Sequence, residues 1–154
     1  MTINEKQDEI IEEFDSLDNE LKEVGFDLSE RLLQKTDYIM DLGQKLPSMP
    51  ESDKTEDNRI FGCQSVVWLT ARMQDDKLYF SGDGDQYAKI SKGIISLLIR
   101  ALSGAKPEEI ANANLYFIDK IGMQSFISSR RTGGLASMVE RMKAYGREYS
   151  GQEA

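Results

Sequence analysis

Between Ile90 and Leu102 the chain reads ISKGIISLLIRAL, and its apolar residues do not keep to one narrow stripe. Ile90, Ile94, Leu97, Leu98 and Ala101 mark a helical face, and Ile95, Ile99 and Leu102 widen it. A helix apolar over that much of its circumference must be covered on several sides. It has to be central and well buried, and the rest of the chain has to supply the cover. Gly104 closes it. With 154 residues the chain is long enough for one domain with a sizeable core, so a single domain over residues 1–154 is expected.

The covering elements are legible as periodicities. Ile10, Phe14, Leu17, Leu21 and Val24 follow helical spacing, with acidic residues on the outer face and Gly25 as a stop. A second helix is expected from Ser29 to about Leu46, with Leu32, Leu33, Ile39, Met40 and Leu46 as its apolar positions; Pro47 ends it. PSMPESDKTEDNR, Pro47 to Arg59, reads as a loop. In SVVWLTARM, Val67, Leu69, Ala71 and Met73 alternate with Trp68, Thr70 and Arg72, which is a strand. Gln74 to Lys77 reads as a turn, Leu78 to Ser81 as the returning strand, and Arg59–Gly62 as a short third strand. SGDGD, Ser81 to Asp85, reads as the next turn. Pro107 opens a short helix, and Leu135, Met138, Met142, Tyr145 and Tyr149 mark a last one. Helices, then a hairpin, then helices give an α+β class, with a small antiparallel sheet of about three strands packed against helices.

Composition excludes more than it suggests. The net charge of −8 opposes binding to nucleic acid, whose phosphates require clustered Lys and Arg. No apolar run is long enough to span a membrane, and the acidic start has neither the basic nor the apolar region of an export signal. A soluble cytoplasmic protein is expected. With one Cys and no His, the chain cannot form an internal disulfide, a Cys/His zinc site or a histidine-activated dyad.

What survives is one thiol, Cys63, between Gly62 and the polar pair Gln64–Ser65, where a long loop meets a strand. Free cysteines are often small buried hydrophobes, whereas a loop–strand junction is a usual place for functional side chains. Composition and position leave Cys63 evenly balanced between the two. SGDGDQY offers alternating Asp83 and Asp85 as in a calcium loop, but Tyr87 and Ile94 occupy later ligand positions. A turn that caps the next helix is the simpler reading. SSRRTGGL, Ser128 to Leu135, reads as a flexible loop before a helix, and its arginines are able to supply positive charge to an anion or thiolate.

GCQSVVW, Gly62 to Trp68, resembles the signature of the SufE family, the sulfur-acceptor proteins of iron–sulfur cluster assembly. The resemblance extends in order through DLGQKLPSMP (Asp41 to Pro50), GDGD (Gly82 to Asp85), ISKGIISLL (Ile90 to Leu98) and RTGGL (Arg131 to Leu135). Asn19 to Met40 departs from it, being longer and more polar than the family's aromatic-rich run. The resemblance implies a fold akin to the IscU-type scaffolds, without their three ligating cysteines. It implies that Cys63 accepts sulfane sulfur from the persulfide of a PLP-dependent, SufS-like cysteine desulfurase, stimulating it. The sulfur then passes to a SufBCD-like scaffold complex. No cofactor or metal is expected on this chain, since PLP belongs to the partner. Gly62, Gln64, Ser65, Asp85 and Arg131 are the implied supporting residues; Arg131 is the aligned arginine when counted back from Gly134–Leu135. Two other classes fit a lone thiol: a binding module that activates a desulfurase with Cys63 structural, and a one-cysteine thiol peroxidase, whose Pro/Thr/Arg surroundings for the cysteine are missing.

Overall fold

The structure, a computed structural model, describes residues 1–62, 65–126 and 129–151, and for residues 129–133 the backbone alone. The order is α1 (Ile3–Glu23), α2 (Leu28–Gln44), a short 3-10 turn at Glu51–Asp53, β1 (Val67–Gln74), β2 (Lys77–Gly84), α3 (Lys89–Leu102), α4 (Pro107–Ala111), α5 (Phe117–Lys120), α6 (Met123–Phe126) and α7 (Ser129–Ser150). The class is α+β.

The helix with the wide apolar face is α3, and it is the centre. Ile94, Ile95, Leu97, Leu98, Ala101 and Leu102 are all buried. α2 covers one side so closely that the two backbones touch. A Cβ added at Gly43 would lie 2.7 Å from the Gly93 nitrogen, and one at Gly93 would strike the Ile39 carbonyl. The hairpin covers another side, and a Cβ at Gly82 would strike Ile95. α1 brings Ile10 and Phe14 to the same core, and α7 brings Leu135, Met138 and Met142.

The hairpin pairs Val67 with Gly84 through to Gln74 with Lys77. Its turn is two residues, Asp75 and Asp76, with φ of 53° and 65°, the backbone that matches the twist of a tight hairpin. The expected four-residue turn is thus shorter. The returning strand is longer, running to Gly84 and absorbing most of the expected SGDGD turn. Gly82 explains the difference, because a strand passing this near α3 has no room for a side chain there. Among the described residues the sheet has two strands. The expected third is a single bridge between Arg59 and Trp68, and a bridge between Leu78 and Ala105 closes the other edge.

Two further expectations are corrected. RTGG lies inside α7, not in a loop before it. The buried Leu135, Met138 and Met142 outweigh the roughly 1 kcal/mol of helix propensity lost at each glycine. Val24 and Leu33, read as core-facing, are 69% and 66% exposed. The buried residues of α1 end at Phe14 and those of α2 begin at Ile39, so the connected ends of the two helices lie beyond the core. Ion pairs hold that end. Asp18 meets Lys35 at 2.9 Å, Arg31 at 3.0 Å and Lys22 at 3.2 Å. The Lys35 hydrogen bond, with help from Lys22 and Arg31 against a smaller effect of burial, holds the Asp18 pKa down to about 2.

Two outcomes are expected. Gly93→Ala should destabilise the protein by about 3 kcal/mol, read from urea unfolding, because two backbones must part. The Asp18 pKa is depressed on folding, so its contribution is complete above the unfolded value of about 4 and is lost as the pH falls through about 2. Wild type and Asp18→Asn should therefore differ in urea midpoint at pH 6 and converge towards pH 2.

Candidate functional site

The cysteine segment is built on the edge of the hairpin. Ile60 N–H donates to the Val67 carbonyl at 3.0 Å, and Leu69 N–H to the Asn58 carbonyl at 2.8 Å. Asn58–Ile60 therefore lies antiparallel to the start of β1, and residues 61–66 form the loop between them. Cys63 and Gln64 belong to that loop by sequence and lie outside the described residues. The loop's exit is tied down as well, because Asp85 N–H donates to the Val66 carbonyl at 3.0 Å. Ser65 and Asp85 are half-buried. The Asp85 carboxylate accepts from Tyr87 N–H at 2.9 Å, which fixes the bend between β2 and α3. Asp85 thus stands beside the exit of the loop.

Gly62 is the last described residue before Cys63. Its φ is +95°, a left-handed backbone that favours glycine. An added Cβ would also lie 2.6 Å from Ser137 Oγ on α7. The segment therefore rests on α7 with no side chain between. One turn further along α7, Arg141 secures the same segment. Asn58 and Ile60 turn their groups towards β1, so the carbonyls of Asp57 and Arg59 point away from it. Arg141 donates to both, at 3.4 Å for Arg59. Its guanidinium takes the place of the neighbouring strand that an edge otherwise lacks. Between the segment and α7 lies an open groove of about 500 Å³, lined in part by Phe61, Ser137 and Glu140. Arg131 lies on the first turns of α7, with its side chain outside the described residues.

β2 holds a buried carboxylate, Asp83, 4% exposed. It pairs in register with Trp68. Its oxygens accept from Met49 N–H at 2.9 Å and Gly84 N–H at 2.8 Å, and lie 3.6 Å from the ammonium groups of both Lys54 and Lys92. Burial pushes its pKa up, but the two amides and then Lys92 and Lys54 outweigh this, and the net direction is down. Lys54 also stands 5.5 Å from the centre of the Trp68 ring. Asp83 thus binds the proline loop, β2 and α3 together. Sequence reasoning placed it in a turn and missed it. The available signal was strand alternation carried past Ser81, which would have set Asp83 beside Trp68. Among the described residues no three or more acidic, Cys or His side chains gather as for a metal ion, and no helix is long and apolar enough to cross a membrane.

The chain belongs to the SufE family. The family model, described as an Fe-S metabolism associated domain, matches residues 8–146. A SufE-like protein of Rhizobium meliloti is 38% identical over 112 residues, covering 70% of this chain and 79% of that protein. The cysteine desulfuration protein SufE of Plasmodium falciparum is 31% identical over 114 residues, covering 72% of this chain and 46% of that longer protein. The solution structure of a hypothetical protein from Thermus thermophilus shares the fold with a TM-score of 0.70 at 21% identity, over 95% of this chain and 96% of that one.

Arg141→Met should leave two edge carbonyls without their donor, costing about 1–2 kcal/mol. Hydrogen exchange checks this locally: the Ile60 and Leu69 amides should exchange faster, while the amides of α3 follow only the change in global stability.

Proposed function

We propose that this chain is a sulfur acceptor and carrier for iron–sulfur metabolism, with Cys63 as the accepting atom. The observation that supports it most is the family match across residues 8–146, which contains the Gly62–Trp68 block and the only thiol in the chain. The donor is a PLP-dependent cysteine desulfurase of the SufS kind, and the onward acceptor a SufBCD-like scaffold complex. The chain carries no cofactor of its own.

Cys63 attacks as thiolate. A bond forms between its sulfur and the outer sulfur of the donor's persulfide, the donor's S–S bond breaks, and the donor cysteine leaves as thiolate. Cys63 becomes Cys–S–S⁻, and no net oxidation or reduction takes place. Removing this sulfur frees the desulfurase for another turnover, which is the stimulation expected of the pair. Gly62 sets the approach of the loop, Gln64 and Ser65 provide hydrogen-bonding groups beside the sulfur, and Asp85 steadies the loop's exit. Arg131 contributes positive charge. Because transfer requires the sulfur to reach a second protein's persulfide, a loop secured at its two ends suits the task. The setting is the cytoplasm.

Cys63→Ser should fold normally and lose the stimulation of desulfurase turnover. Mass spectrometry of the wild type, after incubation with desulfurase and cysteine without reductant, should find one added sulfur on Cys63. Full stimulation by the serine variant would instead mean that the chain is an activating module with Cys63 structural.

A further inference from the structure

The bridge to Ala105 closes only one end of the β2 edge. Along β2, Leu78, Phe80, Gly82 and Gly84 turn their backbone groups away from β1, because the residues between them exchange the ladder hydrogen bonds. Leu78 is satisfied twice, its N–H by the Ala105 carbonyl at 2.9 Å and its carbonyl by Gly104 N–H at 2.7 Å. Phe80 N–H donates to Ser103 Oγ at 2.9 Å, and Gly84 N–H to the Asp83 carboxylate at 2.8 Å. Between these, the Phe80 carbonyl and the N–H and carbonyl of Gly82 have no partner among the described residues. We propose that this window on the edge of β2 docks an extended segment of a partner protein, one that presents an apolar side chain next to a Lys or Arg.

Three observations carry it. The first is the set of unpaired groups. Gly82 is buried, and buried backbone groups in native proteins are almost always paired. The three groups are spaced as in a strand ladder. An extended segment running either way along β2 accepts from Gly82 N–H and donates to the two carbonyls through amides two residues apart. The second is the cavity beside them. It holds about 220 Å³ and is lined by Leu46, Pro47, Met49 and Pro50 of the proline loop and by Phe80 and Ile99. That is below the roughly 300–1,000 Å³ of sites that enclose a drug-sized ligand, so it suits one or two side chains. The proline loop borders the window without pairing to it. Pro47 and Pro50 have no N–H to donate, and Met49 N–H is taken by the Asp83 carboxylate.

The third is charge. Asp53 also lines the cavity, and among the described residues it is the one charged side chain to do so. It is half-buried. No ion pair reaches it among the described residues, since Lys54, the next residue, lies between Glu51 and Asp83, and Lys92 on α3 also meets Asp83. An apolar cavity with an unneutralised carboxylate on its wall is complementary to an apolar side chain flanked by a cation. A second copy of this chain, itself carrying a net charge of −8, is disfavoured there. The backbone groups supply the hold and the cavity and Asp53 the selection, the division of labour usual when a strand is added to a sheet edge. Docking here does not depend on the chemistry of Cys63.

The test titrates the whole ¹⁵N-labelled chain with acetylated pentapeptide amides, Thr-Val-X-Lys-Thr, in which X is Leu, Phe, Ala or Asp. The Leu and Phe peptides should shift the Gly82 amide resonance saturably and slow its hydrogen exchange, the Ala peptide should bind more weakly, and the Asp peptide should not bind. Alternate amides of the Leu peptide are then N-methylated in two complementary sets. The set that faces the window should weaken binding about tenfold, and the other set far less. Asp53→Lys should weaken the Leu peptide and favour its analogue with Glu in place of Lys. Ser48→Trp, at an exposed residue of the cavity wall, should block both. Circular dichroism and a thermal melt report whether each variant is folded, and if Ser48→Trp does not fold, Asp53→Lys decides the matter. If no peptide moves the Gly82 amide at millimolar concentration, water alone occupies the window and the proposal is overturned. A shift that neither N-methylated set nor Asp53→Lys alters overturns it as well.

Discussion

The contact at Gly43 and Gly93 sets the positions of everything else. Two helix backbones meet there without side chains between them, so α2 and α3 have almost no freedom to slide. Lys92 is the neighbour of Gly93, and from that fixed place its ammonium reaches Asp83 on β2. The chain leaving α2 returns to the same carboxylate through the Met49 amide and then through Lys54, which stands over Trp68. Trp68 is bridged to Arg59, in the segment Asn58–Ile60 that precedes the cysteine loop. A continuous series of short contacts therefore runs from the helix pair at the core to the base of the loop. The described ends of the loop are therefore anchored to a rigid scaffold.

How much of this could be read from the residues depended on whether the cause was periodic. α3 was legible because a wide apolar face has few places to go, and β1 because Val67 and Leu69 alternate with Trp68 and Thr70. The end of β2 was not. Gly82, Asp83 and Gly84 have the composition of a turn, and only the passage of α3 overhead turns a lack of side chain into a reason for a strand. The start of α7 failed in the same way, since Arg-Thr-Gly-Gly has loop chemistry and becomes helical through the packing that follows it. Val24 and Leu33 matched helical spacing, yet spacing does not reveal where a core stops.

The site divides along a similar line. Gly62, Ser65 and Asp85 came from a motif, and the structure sets them at the entry and exit of the loop. Asp83 and Arg141 had no such signal. Arg141 binds backbone carbonyls, and any residue type supplies a carbonyl, so no sequence pattern accompanies it. Asp83 depends on two lysines and two amides drawn from four places in the chain. Such long-range polar contacts are fixed by tertiary structure alone.

The absence of histidine becomes intelligible once the proposed chemistry is considered. A hydrolase or a peroxidase has to move a proton to a poor leaving group, which calls for a base of matched pKa. Sulfane transfer exchanges one thiolate for another, and the leaving cysteine already departs as an anion. The requirement is to hold a charge, not to shuttle a proton. A guanidinium suits that requirement, since it stays protonated across the working pH range and has no proton to give up. An acidic surface would otherwise oppose an anion at the loop, so the cation has to be close and free of carboxylates.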